Sequence, residues 1–147
     1  MRNGFSYVQI LLIVAVISIL GGVAAPYYVQ FQTRQQLSEA VDRLVVDLRY
    51  AQTKAMQRAE NNVWGVHIQD STKEYVLFYG PGYTPSQSNN QTIGYANSVS
   101  VAPDQDIVFA PVTGLPNIPT TLTIQSSAIP DDIRTIEINA EGRIQVQ

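Results

Sequence analysis

Residues 5–26 read FSYVQILLIVAVISILGGVAAP, and no charged side chain lies between Arg2 and Arg34. A run this apolar must leave water. As a helix over 5–28, at about 1.5 Å per residue, it would cross a bilayer core of roughly 30 Å. Everything after it then reads as a domain carried on a stem inserted in a membrane or in an assembly of like stems. Arg2 and the α-amine would hold the start of the chain on the cytoplasmic side.

The 147 residues suffice for one globular domain plus that stem. Much of the 45% hydrophobic content falls in the first third, so the remainder can bury a small core with little to spare. A formal charge of -3 and a pI of about 4.9 provide no basic field to attract nucleic acid or anionic lipid. The absence of cysteine removes disulfides, thiol catalysis and thiolate metal sites.

Three readings of the N-terminus compete. Gly21-Gly22-Val23-Ala24-Ala25 has the small residues of a secretory cleavage site. A plain membrane anchor is the second reading. The third comes from the residues bordering the run, Arg2-Asn3-Gly4-Phe5-Ser6. Here the chain resembles type IV prepilins and the pseudopilins of type II secretion. In that family a short basic leader ends in Gly, and a dedicated peptidase cuts there and methylates the new N-terminus, usually Phe. Gly4 matches the last leader residue, Phe5 the first mature one, and Pro26 the proline common in the family's helix.

One position departs from the pattern. Where the family has Glu four residues after the Phe, this chain has Gln9. The family's carboxylate is thought to neutralise a neighbouring subunit's N-terminal ammonium. Such a pair at 4 Å is worth about 4 kcal/mol at an effective dielectric near 20, before desolvation. Gln9 accepts a hydrogen bond but brings no charge into the apolar surroundings. A subunit at a filament tip could dispense with the Glu, and sequence drift explains Gln9 equally well.

Past the stem, Pro26 removes one backbone donor and should kink or loosen the helix. Tyr27, Tyr28 and Phe31 suit a membrane interface, with Arg34 opening the aqueous side. Leu37, Val41, Leu44, Leu48, Ala51, Ala55 and Ala59 then recur at steps of three or four, a narrow amphipathic stripe. Glu39 and Arg43 are spaced as an i,i+4 pair, and Asn61-Asn62 is the expected stop.

The period then changes to two. Trp64, Val66 and Ile68 alternate with Gly65 and His67, and after the turn 70–73, Tyr75, Leu77 and Tyr79 alternate with Val76 and Phe78. Residues 80–98, rich in Gly, Pro, Ser, Gln and Asn, read as a loop. Short strands are expected at 99–101, 107–109 and 122–124. In the last hairpin a three-residue loop, Ala140-Glu141-Gly142 with Gly142 left-handed, pairs Ile138 with Ile144 and Ile136 with Val146. A two- or four-residue loop would set Ile138 opposite Arg143.

These segments extend the resemblance to the GspH/FimT branch of pseudopilins. The segment Leu48-Arg49-Tyr50-Ala51-Gln52-Thr53-Lys54-Ala55 with Asn61-Asn62-Val63 looks like the end of that branch's long helix. Ile107-Val108-Phe109 followed by Thr113-Gly114, and Asn139-Ala140-Glu141-Gly142-Arg143-Ile144, look like its β domain and C-terminal Gly-Arg signature.

Catalysis needs a positioned acid, base or nucleophile. The single His67 falls on the strand face opposite Trp64 and reads as an ordinary strand residue. With no second His and no Cys, transition-metal ligands are lacking. Asp104 with Asp106 and Asp131 with Asp132 are explained by turn chemistry, although acidic loops hold calcium in some major pseudopilins. Gly80-Pro81-Gly82 stands in the wrong context for a phosphate loop. Some FimT-like pilins take up DNA through a basic C-terminal motif. Here Arg134 and Arg143 could lie near one another as a weak contact, but Gln145 stands where a second basic residue would help.

The expected fold is α+β: one N-terminal helix of roughly 55 residues, about 80 Å long, with an antiparallel sheet on its C-terminal half. The expected divisions are a leader (1–4), a transmembrane and assembly helix (5–28), an amphipathic half (29–62) and a β domain (63–147). The resemblance implies a structural subunit with no enzymatic activity or cofactor, cleaved after Gly4, methylated at Phe5 and polymerised through a stem carrying Gln9 and Pro26. Its implied partners are other pilin subunits, a prepilin peptidase, and an inner-membrane assembly platform with its ATPase. The chain would sit once through the bacterial inner membrane with its domain outside the cytoplasm, then join an extracytoplasmic filament. Nucleic acid is not an expected partner. The alternatives are a DNA-binding minor pilin and a membrane-anchored binding domain that never polymerises.

Overall fold

A computed structural model describes residues 6–59 and 62–147, and of 22–26 only the backbone. Gly4, Phe5 and Asn61 lie outside the described residues. The chain divides into two compact units, Met1–Gln32 and Thr33–Gln147.

A single helix, α1, is assigned over Tyr7–Met56, 50 residues that include position 26. It ends before the expected Asn61-Asn62, and Arg58 just beyond it takes a left-handed backbone (φ 51). The Val112 N–H donates to the Ala55 carbonyl at 3.1 Å, and the Trp64 indole N–H to the Ala59 carbonyl at 3.1 Å.

In the second unit eight strands follow: β1 (Trp64–Gln69), β2 (Glu74–Tyr79), β3 (Gln91–Gly94), β4 (Val99–Ala102), β5 (Asp106–Phe109), β6 (Thr120–Ser126), β7 (Ile129–Ile138) and β8 (Ile144–Val146). They make two antiparallel four-stranded sheets, ordered β3-β2-β1-β5 and β4-β6-β7-β8, where a single sheet was expected. The split arises because β5 returns to pair with β1, Trp64 opposite Phe109, leaving β4 to pair with β6. Part of the expected loop 80–98 is also a strand: β3 adds to the edge of β2, with Ile93 buried opposite Tyr75.

One core serves the helix and both sheets. Leu37, Val41, Leu44, Leu48, Ala51 and Ala55 of the predicted stripe are all buried, with Val45 widening it. Trp64, Val66, Ile68, Tyr75 and Leu77 come from the first sheet, and Val101, Leu122, Ile124, Ile136 and Ile138 from the second. Each such aliphatic side chain contributes about 1.5–3 kcal/mol on full burial, so the stripe dominates docking of the helix.

Opposite that core, Val76 and Phe78 on the outer face of the first sheet are buried as well. Phe78 lies over Gly65, where a Cβ would come within 2.7 Å of both the Phe78 ring and the Ile107 carbonyl oxygen. Tyr83, from the connection after β2, meets Phe78 edge to face at 5.7 Å and stacks on His67 at 3.8 Å. The last hairpin has the predicted register, Ile138 opposite Ile144 and Ile136 opposite Val146. Gly142 is left-handed (φ 78), and the Asn139 N–H donates to the Arg143 carbonyl across a three-residue loop.

Candidate functional site

The stem begins at a helix cap. The Gln9 side-chain carbonyl accepts the Ser6 N–H at 3.0 Å. Ser6-Tyr7-Val8-Gln9 has capping-box spacing, the side chain at the third helical position reaching back to the first free donor. Gln9 therefore has a local task, closing a backbone N–H that would otherwise face apolar surroundings. Ser18, two turns further along the stem, donates to the Val14 carbonyl at 2.8 Å and so engages its hydroxyl locally.

What remains outward is apolar. Eleven large hydrophobic side chains from Tyr7 to Leu20 are 47 to 75% exposed, and they point in all directions around the helix. A helix that is apolar all round is stable only among lipid or other helices. Among the described residues no helix is long and apolar enough to cross a membrane. The described stretch 7–21 would measure about 22 Å, short of a roughly 30 Å core.

Within the second unit, the segments that carry the branch resemblance converge on Gln52. Its side-chain amide donates to the Gly142 carbonyl at 2.7 Å and to the Gly114 carbonyl at 3.0 Å. One residue of α1 thus ties together the turn after β5 and the final hairpin. Arg49, a turn earlier, reaches the Ile144 carbonyl at 3.4 Å. The motifs are distant in the chain because each supplies one side of this knot.

A second hub was not legible beforehand. Asp70, in a short 3-10 turn between β1 and β2, accepts from the Val101 N–H (2.8 Å), the Tyr95 hydroxyl (2.8 Å), Ser100 Oγ (3.0 Å) and Lys73 Nζ (2.9 Å). Partial burial pushes its pKa up, but these four donors together outweigh it and hold the carboxyl at about 2. Asp104 in turn accepts the Asp70 N–H at 2.9 Å. Asp106 pairs with His67, which it faces across β5 and β1. The two carboxylates of that acidic pair are thus engaged separately. Asp132, of the other pair, accepts from Arg134 Nε at 3.0 Å.

The structure does not bring Arg134 and Arg143 together. Arg143 lies opposite Asn139, just past the end of β7 and five residues along the chain from Arg134, a separation of about 16 Å at 3.3 Å per residue. Glu39 and Arg43 likewise form no ion pair, and Arg43 sits instead against the Tyr75 hydroxyl.

Val112 holds a left-handed backbone (φ 71) with its side chain half exposed, an expensive conformation for a β-branched residue. Its N–H caps α1, which fixes the geometry. Val112→Gly is expected to stabilise the domain by about 1 kcal/mol, strain relief exceeding the added freedom of the unfolded chain. Thermal unfolding followed by fluorescence of Trp64 checks this, and a lowered midpoint counts against it.

No family model and no curated protein matches the chain in sequence. Solved structures do match in shape. The type IV minor pilin FimU of Pseudomonas aeruginosa, in space group P21, superposes with a TM-score of 0.62 at 19% identity, covering 80% of this chain and 92% of that one. Its P65 form gives 0.59 at 17% identity, over 75% and 91%. The minor pseudopilin EpsH from the Type 2 Secretion System of Vibrio cholerae gives 0.55 at 14% identity, over 76% and 96%. The fold of this chain is the α+β fold of these minor pilins and pseudopilins.

Proposed function

We propose that the chain is a structural minor pilin or pseudopilin subunit that polymerises through its N-terminal helix. The observation that carries this is the stem. Its large apolar side chains are exposed on every face, and the Ser6 N–H, the Gln9 side-chain oxygen and the Ser18 hydroxyl are engaged in local hydrogen bonds. Such a surface needs an apolar environment that its own chain does not supply. The likeness of fold to minor pilins supports the same reading.

On this reading the leader 1–4 is removed after Gly4 and Phe5 is methylated. The subunit waits in the bacterial inner membrane with its domain outside the cytoplasm, and an assembly platform and ATPase draw it into a filament of like stems. Gln9 and Pro26 act in that packing, and the chain performs no catalysis. A DNA-uptake role draws little support, because Arg134 is held by Asp132 and stands far from Arg143.

Coexpression with a prepilin peptidase followed by mass spectrometry of the N-terminus is the test. The expected product starts at methylated Phe5. A chain retaining Met1 under those conditions removes the proposal.

A further inference from the structure

Two side chains on the outer face of the first sheet, Val76 and Phe78, are as deeply buried as the core, at 2% and 0% exposure. The connection 80–90 returns over this face. Its Tyr83 ring meets Phe78 edge to face and lies nearly parallel, at 9°, on the ring of His67, the cross-strand partner of Val76. We propose that residues 81–90 are a lid on the outer face, latched by the Tyr83 ring and able to swing clear while both sheets stay folded.

Little holds the lid down. None of the residues from Pro81 to Asn90 is buried. The segment keeps its shape by internal bonds: the Gln87 N–H donates to the Thr84 carbonyl and the Asn90 N–H to the Gln87 carbonyl, both at 3.3 Å. Asn90 Nδ2 also donates to the Thr84 carbonyl at 2.8 Å. Towards the sheet it makes one side-chain hydrogen bond among the described residues, from Asn89 Nδ2 to the Tyr79 carbonyl at 2.6 Å. No charged residue occurs between Glu74 and Asp104, so no ion pair anchors it. Segments with so few buried contacts open at a small fraction of the free energy of global unfolding.

Closure also carries a cost that opening relieves. Gln87 Oε1 and Asn90 Oδ1 are buried in the closed lid and find no hydrogen-bond partner in the protein. An unpaired buried acceptor opposes the state that buries it, and opening returns both to water. A hinge stands at the start of the segment, where Gly80 has φ 141 and Gly82 follows across Pro81. On the sheet side the latch is fixed, because the His67 ring is paired with Asp106 across β1 and β5. The Tyr83 ring is therefore the main contact that closure gains.

The chain has no cysteine, so a single introduced thiol reports its own access to solvent. In the full chain in detergent micelles, Val76→Cys places the thiol under the lid. Val66→Cys, on the core face of neighbouring β1, places it where only global unfolding exposes it, and Val101→Cys gives a second core site. Under native conditions a water-soluble maleimide is expected to label Val76→Cys at least about tenfold faster than either core site. Adding Tyr83→Ala should speed Val76→Cys labelling about tenfold more and leave the core sites within about twofold. Tyr83→Phe, which keeps the ring, should leave every rate within about twofold. Equal labelling at positions 76 and 66, or equal acceleration of both by Tyr83→Ala, means that this face opens only with the whole domain and overturns the lid. Labelling of Val76→Cys unchanged by Tyr83→Ala overturns the latch.

Discussion

Replacing Asp70 with alanine is expected to cost the folded domain about 3 kcal/mol, or about 10 °C in melting temperature. The Asp70 carboxylate is where the hairpin turn of the first sheet meets the second sheet. It accepts from Val101 and Ser100 of β4, from Tyr95 just before it, and from Lys73 beside it. Removing it strands a backbone N–H and two hydroxyls that are partly buried, and stranded donors cost more than the bonds themselves are worth. Asp70→Asn should lose less, since an amide oxygen still accepts from two of them.

The ionisation of Asp70 adds a separate, smaller signature. Its carboxyl sits at about 2 in the folded chain against an ordinary 3.8. A depressed value means the unfolded chain binds its proton first. The contribution is therefore complete above about pH 4 and is lost as pH falls towards 2. Unscreened, that shift corresponds to about 2.5 kcal/mol. The side chain is 26% exposed, and solvent screening reduces the figure to about 1 kcal/mol. Wild-type chain in micelles should lose that much stability between pH 4 and pH 2, read by Trp64 fluorescence, and Asp70→Asn should lack that step. An identical acid profile in the variant would assign the step to other carboxylates.

The hub could not be read from the chain, and the reason is distance along it. Asp70 reads locally as a turn former, and apart from Lys73 its partners stand 25 to 31 residues away. The two-sheet division was hidden for the same reason: β1 pairs with β5 across the whole of the intervening meander. Strand β3 offered one buried apolar residue, Ile93, within a polar tract, too little for a period of two to register. What was legible is what short-range pattern encodes. The steps of three and four from Leu37 to Ala55 marked the buried face of α1, and Gly142 marked the register of the final hairpin. The Gln9 cap was also within reach, since Ser6 and Gln9 have the spacing that predicts it.

Gly142→Ala is the second large loss to expect, about 3 kcal/mol, and its cause can be separated into two parts. Gly142 has φ 78, a conformation that costs an alanine about 1 kcal/mol before any contact is counted. A Cβ there would also lie 2.7 Å from Gln52 Nε2 and 3.0 Å from the Gly114 carbonyl oxygen. Gln52 is flexible and can swing aside, but only by giving up the two carbonyls it holds, at about 1 kcal/mol each. The backbone of Gly114 has less freedom to move. The substitution thus attacks the knot that joins α1 to both distal turns, and Gln52→Ala, losing the same bonds without the strain, should cost about 2 kcal/mol. In the double variant the bonds are lost only once, so the combined loss should fall about 1–2 kcal/mol short of the sum. Thermal unfolding of the four chains in micelles closes that cycle. Simple additivity would show that Gly142 matters for its backbone alone and that Gln52 does not join the two turns.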